Sequence, residues 1–303
     1  MTHTPPSPEP IPCGYIAIIG RPNVGKSTLM NRILGQKISI TSRKPQTTRH
    51  RITGIKTTPD AQMIFVDTPG LHHGGKRAMN RLMNRAALDS LTDVDVILFV
   101  IEARQWTDED QSILERLKTI HTPVILVINK IDQVDDKTAL LPQIDMLKDH
   151  PGFVDVLPMS ARNGDNVDRL EKLVQQHLPV SVLLYPEDQV TDRSERFIAA
   201  ELIREKLMRR LGQELPYALA VEIEQFVAEG KLLRISALIW VERDSQKAIV
   251  IGKQGAGLKT IGKQARVDME NIFGRKVFLQ LWVKVKDKWA DDERMLKGLG
   301  YSE

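Results

Sequence analysis

Residues 20–27 read GRPNVGKS, a match to the pattern G-x-x-x-x-G-K-[ST]. Glycines at those positions let the backbone curl until its N–H groups converge. Converging N–H groups at the start of a helix hold phosphate oxygens. Lys26 then supplies charge for β- and γ-phosphates, and the Ser27 hydroxyl is a ligand for Mg2+. The pattern places Gly20, Gly25, Lys26 and Ser27 around a bound nucleotide, and Asn23 in the same loop and Thr28 just after it are candidate contacts beside them. Residues 67–70 read DTPG after an apolar run. Asp67 at a strand end can hold Mg2+ through water, and Gly70 can present its N–H to a γ-phosphate. Between these motifs, residues 42–51 (SRKPQTTRHR) are polar and without period. A threonine here completes the Mg2+ shell; Thr48 is favoured over Thr47. The metal set is therefore Ser27, Thr48 and Asp67, and the groups acting on the reacting phosphate are Lys26, Asp67 and Gly70.

Residues 129–132 read NKID after another apolar run. A carboxylate at Asp132 accepts from N1–H and the N2 amine of guanine. Adenine offers neither donor and would leave the buried carboxylate unpaired, which costs a few kcal/mol. Polar pairing of this kind discriminates by roughly 10⁴. Asn129 ties the base loop to the phosphate loop, and the Lys130 stem covers the base. In the segment SAR, residues 160–162, Ser160 adjoins the base and the Ala161 N–H meets guanine O6. The chemistry implied is phosphoryl transfer from GTP to water, in which positioning and charge neutralisation dominate. Many such enzymes place a water-orienting glutamine just after D-x-x-G, where this chain has Leu71. His72, His73, Arg43, Arg49 and Arg51 stand nearby, each reading first as a solvated loop residue. Slow intrinsic turnover, raised by a partner or a cation, is expected.

These residues need a frame, and the chain supplies one. Apolar runs at 15–19, 63–66, 96–101, 124–128 and 154–157 alternate with helical spacing at 26–34, 76–90, 109–120, 137–149 and 167–177. Buried strands alternating with helices predict an α/β P-loop domain, a mostly parallel sheet with helices on both faces, over residues 13–180. Residues 1–12 are proline-rich and read as a disordered leader. Residues 181–192 read as a linker.

Beyond it, helical spacing over 193–210 precedes two alternating segments, 218–227 and 232–241. Val221, Ile223 and Gln225 are expected on one side of the first. A helix–GKQG–helix segment spans 246–273, a strand 277–285, and a tail helix begins near 291. This order predicts a compact α+β domain over 193–303. G-x-x-G between two helices lets a phosphate backbone approach closely. Gly252, Lys253, Gln254, Gly255 and Lys259 are the candidate RNA contacts, with Ile249, Ile251, Leu258 and Ile261 lining a groove for bases.

The bulk numbers leave room for this. At 303 residues, 42% hydrophobic, 27% charged and net charge +4, the chain fits two globular domains and is only mildly basic. One cysteine, Cys13, precludes an internal disulfide and reads as a small buried hydrophobe.

GRPNVGKSTL, QTTRHR, DTPGLH, NKID, DRSERF, REKLMR, ELPY, VIGKQGAGLKTIG, LWVKVK and WADDERMLKGLGY together resemble the Era family of bacterial GTPases, over residues 13–301. The resemblance implies a type II KH fold, GTP and GDP as ligands with Mg2+, binding to the 3′ region of 16S rRNA, and a role in assembly of the 30S ribosomal subunit. It implies that a hydrophobic residue at Leu71 is ordinary in this branch, and that Asn23 occupies a position linked to activation by K+. It implies a monomer in the cytoplasm, partly associated with the inner membrane. A GTPase of tRNA modification has a similar nucleotide domain but carries a helical domain and a C-terminal reactive cysteine, which this chain lacks. An ATPase is excluded by Asp132. A module using nucleotide only as structure is disfavoured by Lys26, Ser27 and Asp67.

Overall fold

The computed structural model describes residues 9–42, 44, 46–70, 78–89, 91–148, 150, 152–212 and 215–301, without the side chains of Asn84, Leu88 and Asp89. The chain divides into two compact units. The first comprises Met1–Gln36, Arg51–His72 and Ala87–Asp192; the second Lys37–His50, His73–Ala86 and Arg193–Glu303.

The first unit is built on a seven-stranded sheet in the order β2-β3-β1-β4-β5-β6, with β7 paired to β1. The strands are β1 (Ile11–Ile19), β2 (Ile52–Thr58), β3 (Ala61–Asp67), β4 (Val96–Glu102), β5 (Val124–Asn129), β6 (Asp155–Pro158) and β7 (Val180–Ser181). β1, β3, β4, β5 and β6 run parallel, while β2 and β7 pair antiparallel. The helices are α1 (Lys26–Leu34), α3 (Asp108–Leu117), α4 (Leu141–Lys148) and α5 (Val167–His177). Phe99, Ile101, Leu126 and Ile128 pack with Ile113, Leu114 and Leu117 of α3 and Leu147 of α4. Their neighbours Ile16, Ile18, Val66, Leu98 and Val100 are equally buried, which requires cover on the opposite face too. β2 carries the sequence ITGIKTT, whose threonines and glycine give no apolar run, so it escaped the sequence reading.

Sequence boundaries shift where local chemistry intervenes. β1 begins at Ile11, inside the stretch read as leader. Residues 137–140 form a 3-10 turn, and α4 starts only at Leu141 beside Pro142, whose missing N–H suits a first helical turn. The stretch read as linker is bonded to the sheet: Ile55 N donates to the Val190 carbonyl at 2.7 Å. Gln62 Oε1 accepts from the backbone of Leu184 at 2.8 Å and of Tyr185 at 3.0 Å. Cys13 is buried, and burial pushes its thiol up.

The second unit carries a three-stranded sheet in the order β10-β9-β8. β8 (Leu219–Glu229) runs antiparallel to β9 (Leu232–Val241), and β10 (Lys276–Val285) parallel to it. α6 (Glu195–Arg210), α7 (Asp244–Ile251) and α8 (Ala256–Phe273) complete its core, with Leu202, Ile203, Ile235, Ile239, Val250, Ile261 and Ala265 at the centre. A bulge between Ile223 and Gln225 corrects the expected face of β8. Val221 and Ile223 belong to the core, but the extra residue turns Gln225 outward and Phe226 inward. A smaller cluster joins Ala78, Met79 and Met83 of α2 (Ala78–Asp89) to Trp289, Ala290, Tyr301 and Leu296 of α9 (Glu293–Gly298).

Candidate nucleotide and RNA sites

In the first unit the phosphate loop leaves β1 at Gly20 and enters α1 at Lys26. Gly20 and Gly25 hold φ of +148° and +108°. A Cβ at Gly25 would stand 2.3 Å from Asn129 Nδ2, and one at Gly20 would stand 2.2 Å from the Val100 carbonyl oxygen. Asn23 is exposed with φ +66°, at the crest of the turn. Lys26 is buried, and its Nζ donates to the carbonyls of Gly20 at 2.8 Å and Arg21 at 3.0 Å. Those carbonyls occupy donors that a phosphate would take. Burial pushes the Lys26 ammonium down to about 8, against the pull of the Asp67 carboxylate. Ser27 Oγ donates to Asp67 Oδ2 at 2.7 Å, so a hydroxyl and a carboxylate lie side by side at the ends of α1 and β3. That pair of oxygen donors fits Mg2+, which prefers hard oxygen ligands. Thr28 is half-buried on the first turn of α1. Gly70 approaches the loop closely: a Cβ there would meet Pro22 Cγ at 2.9 Å.

The base loops are joined to this cradle. Asn129 Nδ2 donates to the Val24 carbonyl at 2.7 Å, and Asn129 Oδ1 accepts from Ala161 N at 2.9 Å. Asp132 Oδ1 accepts from Ser160 Oγ at 2.6 Å. Lys130 adopts φ +66°, and its Nζ donates to Glu102 Oε2 at 2.8 Å. Gly20, Gly25, Lys26, Ser27, Asp67, Gly70, Asn129, Asp132, Ser160 and Ala161 thus share one linked set of loops. Sequence reasoning missed Glu102, Arg21 and Asp110. A carboxylate that ends a strand and another inside an N-terminal helical turn look like ordinary surface charge until the fold brings Arg21 between them.

Thr47 and Thr48 lie in the second unit, where the Thr47 hydroxyl donates to the Lys44 carbonyl at 2.6 Å and its carbonyl accepts from Arg204. Arg49, expected as a solvated loop residue, is instead fully buried there. Arg43, Leu71, His72 and His73 lie outside the described residues.

The GKQG segment forms the turn between α7 and α8. Gly252 takes φ +71° with ψ 177°, Gln254 φ +49° and Gly255 φ +79°. A Cβ at Gly252 would stand 3.0 Å from the Gly257 backbone N. Lys253, Gln254 and Lys259 are exposed, and Gly255 is half-buried at the start of α8. Ile249 is 60% exposed, so an apolar side chain does stand open beside the turn. Ile261 is wholly buried in the core and cannot line a groove, which corrects that expectation.

Comparison with known proteins decides the family. The sequence model described as "50S ribosome-binding GTPase" matches residues 15–130, and the KH-domain model matches residues 214–290. GTPase Era of Pseudomonas aeruginosa (strain LESB58) is 57% identical, covering 96% of this chain and 95% of its own. The chain belongs to the Era family of GTPases. GTPase Era of Pseudomonas putida (strain W619) is 56% identical over 97% of this chain and 98% of its own. Among solved structures, Era in complex with MgGDPNP and nucleotides 1506–1542 of 16S ribosomal RNA matches with TM-score 0.93 at 43% identity, covering 97% of this chain and 100% of that one. An Aquifex aeolicus Era variant bound to GDP and aluminium fluoride matches with the same score at 42% identity and the same coverage. The Era fold, a P-loop GTPase domain followed by a KH domain, is therefore the fold of this chain.

Proposed function

We propose that this chain is a GTP-hydrolysing switch that grips the 3′ region of 16S rRNA and assists maturation of the 30S subunit. The observation that carries the nucleotide half is Asn129, whose single amide joins the Val24 carbonyl of the phosphate loop to the Ala161 N–H of the base loop. This leaves Asp132 to read guanine N1–H and N2, Ala161 N–H to meet O6, and the Lys130 stem to cover the ring. Lys26 exchanges its carbonyl partners for β- and γ-phosphate oxygens. Ser27 and Asp67, whose oxygens already lie side by side, would hold Mg2+, which when bound supplies positive charge against the phosphate oxygens. Gly70 reports the γ-phosphate through its N–H. K+ at Asn23, or a partner, raises a slow intrinsic rate.

The RNA half rests on the open GKQG turn, with Gly252, Lys253, Gln254, Gly255 and Lys259 against a single strand, and on the likeness to the rRNA-bound Era structure. Among the described residues no helix is long and apolar enough to cross a membrane. The reading places the protein as a monomer in the cytoplasm, with peripheral association to the inner membrane.

Two measurements test this. Phosphate release from GTP should fall at least about 100-fold in Lys26→Ala. Titration of a 16S 3′-end oligonucleotide against nucleotide-free, GDP-loaded and GTP-analogue-loaded protein should give tightest binding with the triphosphate; equal affinity in all three would separate the two halves functionally.

A further inference from the structure

Glu102 ends β4, in register with Asn129 on β5. Its Oε2 accepts from two cations that belong to different loops. Lys130 Nζ, of the base loop, donates at 2.8 Å, and Arg21 Nη2, of the phosphate loop, at 3.3 Å. All three side chains are largely withdrawn from water, with exposures of 24% for Lys130, 15% for Glu102 and 13% for Arg21. Arg21 has two further acceptors. Its Nη2 donates to Gln105 Oε1 at 2.9 Å, and its Nε donates to Asp110 Oδ2 at 3.3 Å. Asp110 is fully buried and is fixed in turn by the capping box of α3, where Thr107 Oγ1 donates to Asp110 Oδ2 at 2.9 Å. Three side-chain acceptors thus hold the Arg21 guanidinium beside Glu102.

A lysine stem loses much rotamer freedom when it lies flat on a ligand. Anchoring its ammonium beforehand removes that cost from binding. Lys130 also holds a left-handed backbone at φ +66°, which fixes the origin of its side chain. Glu102 is the group that fixes the other end.

We propose that Glu102 is a positioning residue for guanine-nucleotide affinity: it pins the Lys130 ammonium so that the lysine stem is laid over the base before nucleotide arrives, and it references that stem to the phosphate loop through Arg21. This rests on the nucleotide-site reading above, and deepens it by naming the group through which base and phosphate recognition are linked.

The test is a double-mutant cycle on the full-length protein, using dissociation constants for GDP and ADP. Wild type is expected to prefer GDP strongly; failure of that preference would overturn the nucleotide-site reading itself, not the role of Glu102 alone. Given that preference, Glu102→Ala should weaken GDP about tenfold, or about 1.4 kcal/mol. Glu102→Gln, which keeps an acceptor without the charge, should fall between. In a Lys130→Ala background the same Glu102→Ala change should cost less than twofold. Thermal unfolding of nucleotide-free protein monitors the fold, and comparison with Glu115→Ala, a solvated carboxylate of α3, controls for lost surface charge. Wild-type GDP affinity in Glu102→Ala would overturn the proposal. So would a tenfold loss that persists unchanged when Lys130 is already alanine, since Glu102 would then act through the scaffold.

Discussion

Arg49 donates from Nη1 to the carbonyl of Leu219 at 2.7 Å, so a residue next to the candidate switch threonines is anchored on the first residue of β8. The same guanidinium donates from Nη2 to the Pro216 carbonyl at 2.9 Å and from Nη1 to the Tyr301 hydroxyl at 3.3 Å. Around it, Arg204 pairs with Glu201 at 2.6 Å while also donating to the Thr47 carbonyl. Glu205 binds Lys37 at 2.6 Å and the Thr41 N–H at 3.1 Å. The segment Lys37–His50 is thus built into the unit that carries the GKQG turn, although in the chain it connects α1 to β2.

Arg49→Ala is expected to uncouple nucleotide state from RNA affinity. Removal of the fork takes a donor away from the Leu219 and Pro216 carbonyls, at up to about 1–3 kcal/mol each. The segment bearing Thr47 and Thr48 would then be released from β8. GDP affinity should stay within about threefold of wild type, while the ratio of RNA affinities between triphosphate and diphosphate states should shrink toward one. Arg49→Lys should recover only part, because a single ammonium nitrogen lacks the planar spread of Nη1 and Nη2 that reaches Leu219, Tyr301 and Pro216. Paired titrations of each variant check this; an unchanged ratio would refute it.

A pH effect on stability follows from His50. Its ring lies 4.4 Å from that of Tyr301 and 5.2 Å from that of Phe197, and Nδ1 lies 3.1 Å from the Gly300 carbonyl, to which it donates in the neutral form. Burial pushes the imidazole down to about 4. In the unfolded chain it titrates near 6.5, so between those values the unfolded state binds more protons. Stability is therefore full above about pH 6.5 and falls as pH drops toward 4. Between pH 7 and pH 5 the loss attributable to this group is about 2 kcal/mol. Urea unfolding of the nucleotide-free protein at both values should show a fall that is smaller by about that amount in His50→Gln.

Gly252→Asp tests the RNA turn alone. Gly252 has φ +71° and lies against the backbone of Gly257, so a side chain there meets strain, crowding and added negative charge where a phosphate backbone would pass. RNA affinity should fall by more than tenfold while GDP affinity holds. Loss of both together would indicate unfolding instead.

Much of this site was legible in the sequence because its chemistry is carried by short, ordered segments whose glycines and polar residues have few other uses. Gly20, Gly25, Lys26, Ser27, Asp67, Asn129 and Asp132 each follow an apolar run, and alternation of strands with helices is enough to bring those loops to one edge. What stayed hidden depends on partners far apart in the chain. Arg49 reads as a solvated cation until Leu219, Pro216 and Tyr301 surround it. Glu102 reads as a strand-end charge until Arg21 and Lys130 converge on it. Gln225 faces outward because a bulge breaks a period of two without leaving a mark in composition, and β2 is not legible because ITGIKTT lacks a sustained apolar run.

Asp132→Asn gives the sharpest reading of base choice. Ser160 Oγ donates to Asp132 Oδ1 at 2.6 Å, which orients the carboxylate while both oxygens keep lone pairs for a ligand. Ser160 is buried and takes part in the turn through Asn163 N, which donates to its Oγ at 3.1 Å. The aspartate is thus held by a group that is itself held. A carboxylate accepts from N1–H and N2 of guanine; an asparagine amide presents one donor and one acceptor. It therefore matches the N1–H and C2 carbonyl of xanthine, while against guanine its N–H faces the N2 amine. Such a mispairing leaves buried polar groups unmet, a penalty of a few kcal/mol. GTP affinity should fall by roughly 10³ or more, and xanthosine triphosphate should bind better than GTP. Competition of both nucleotides against a fluorescent GDP analogue measures the exchange. Retention of GTP preference in the variant would remove Asp132 from base reading and transfer the task to the Ala161 N–H.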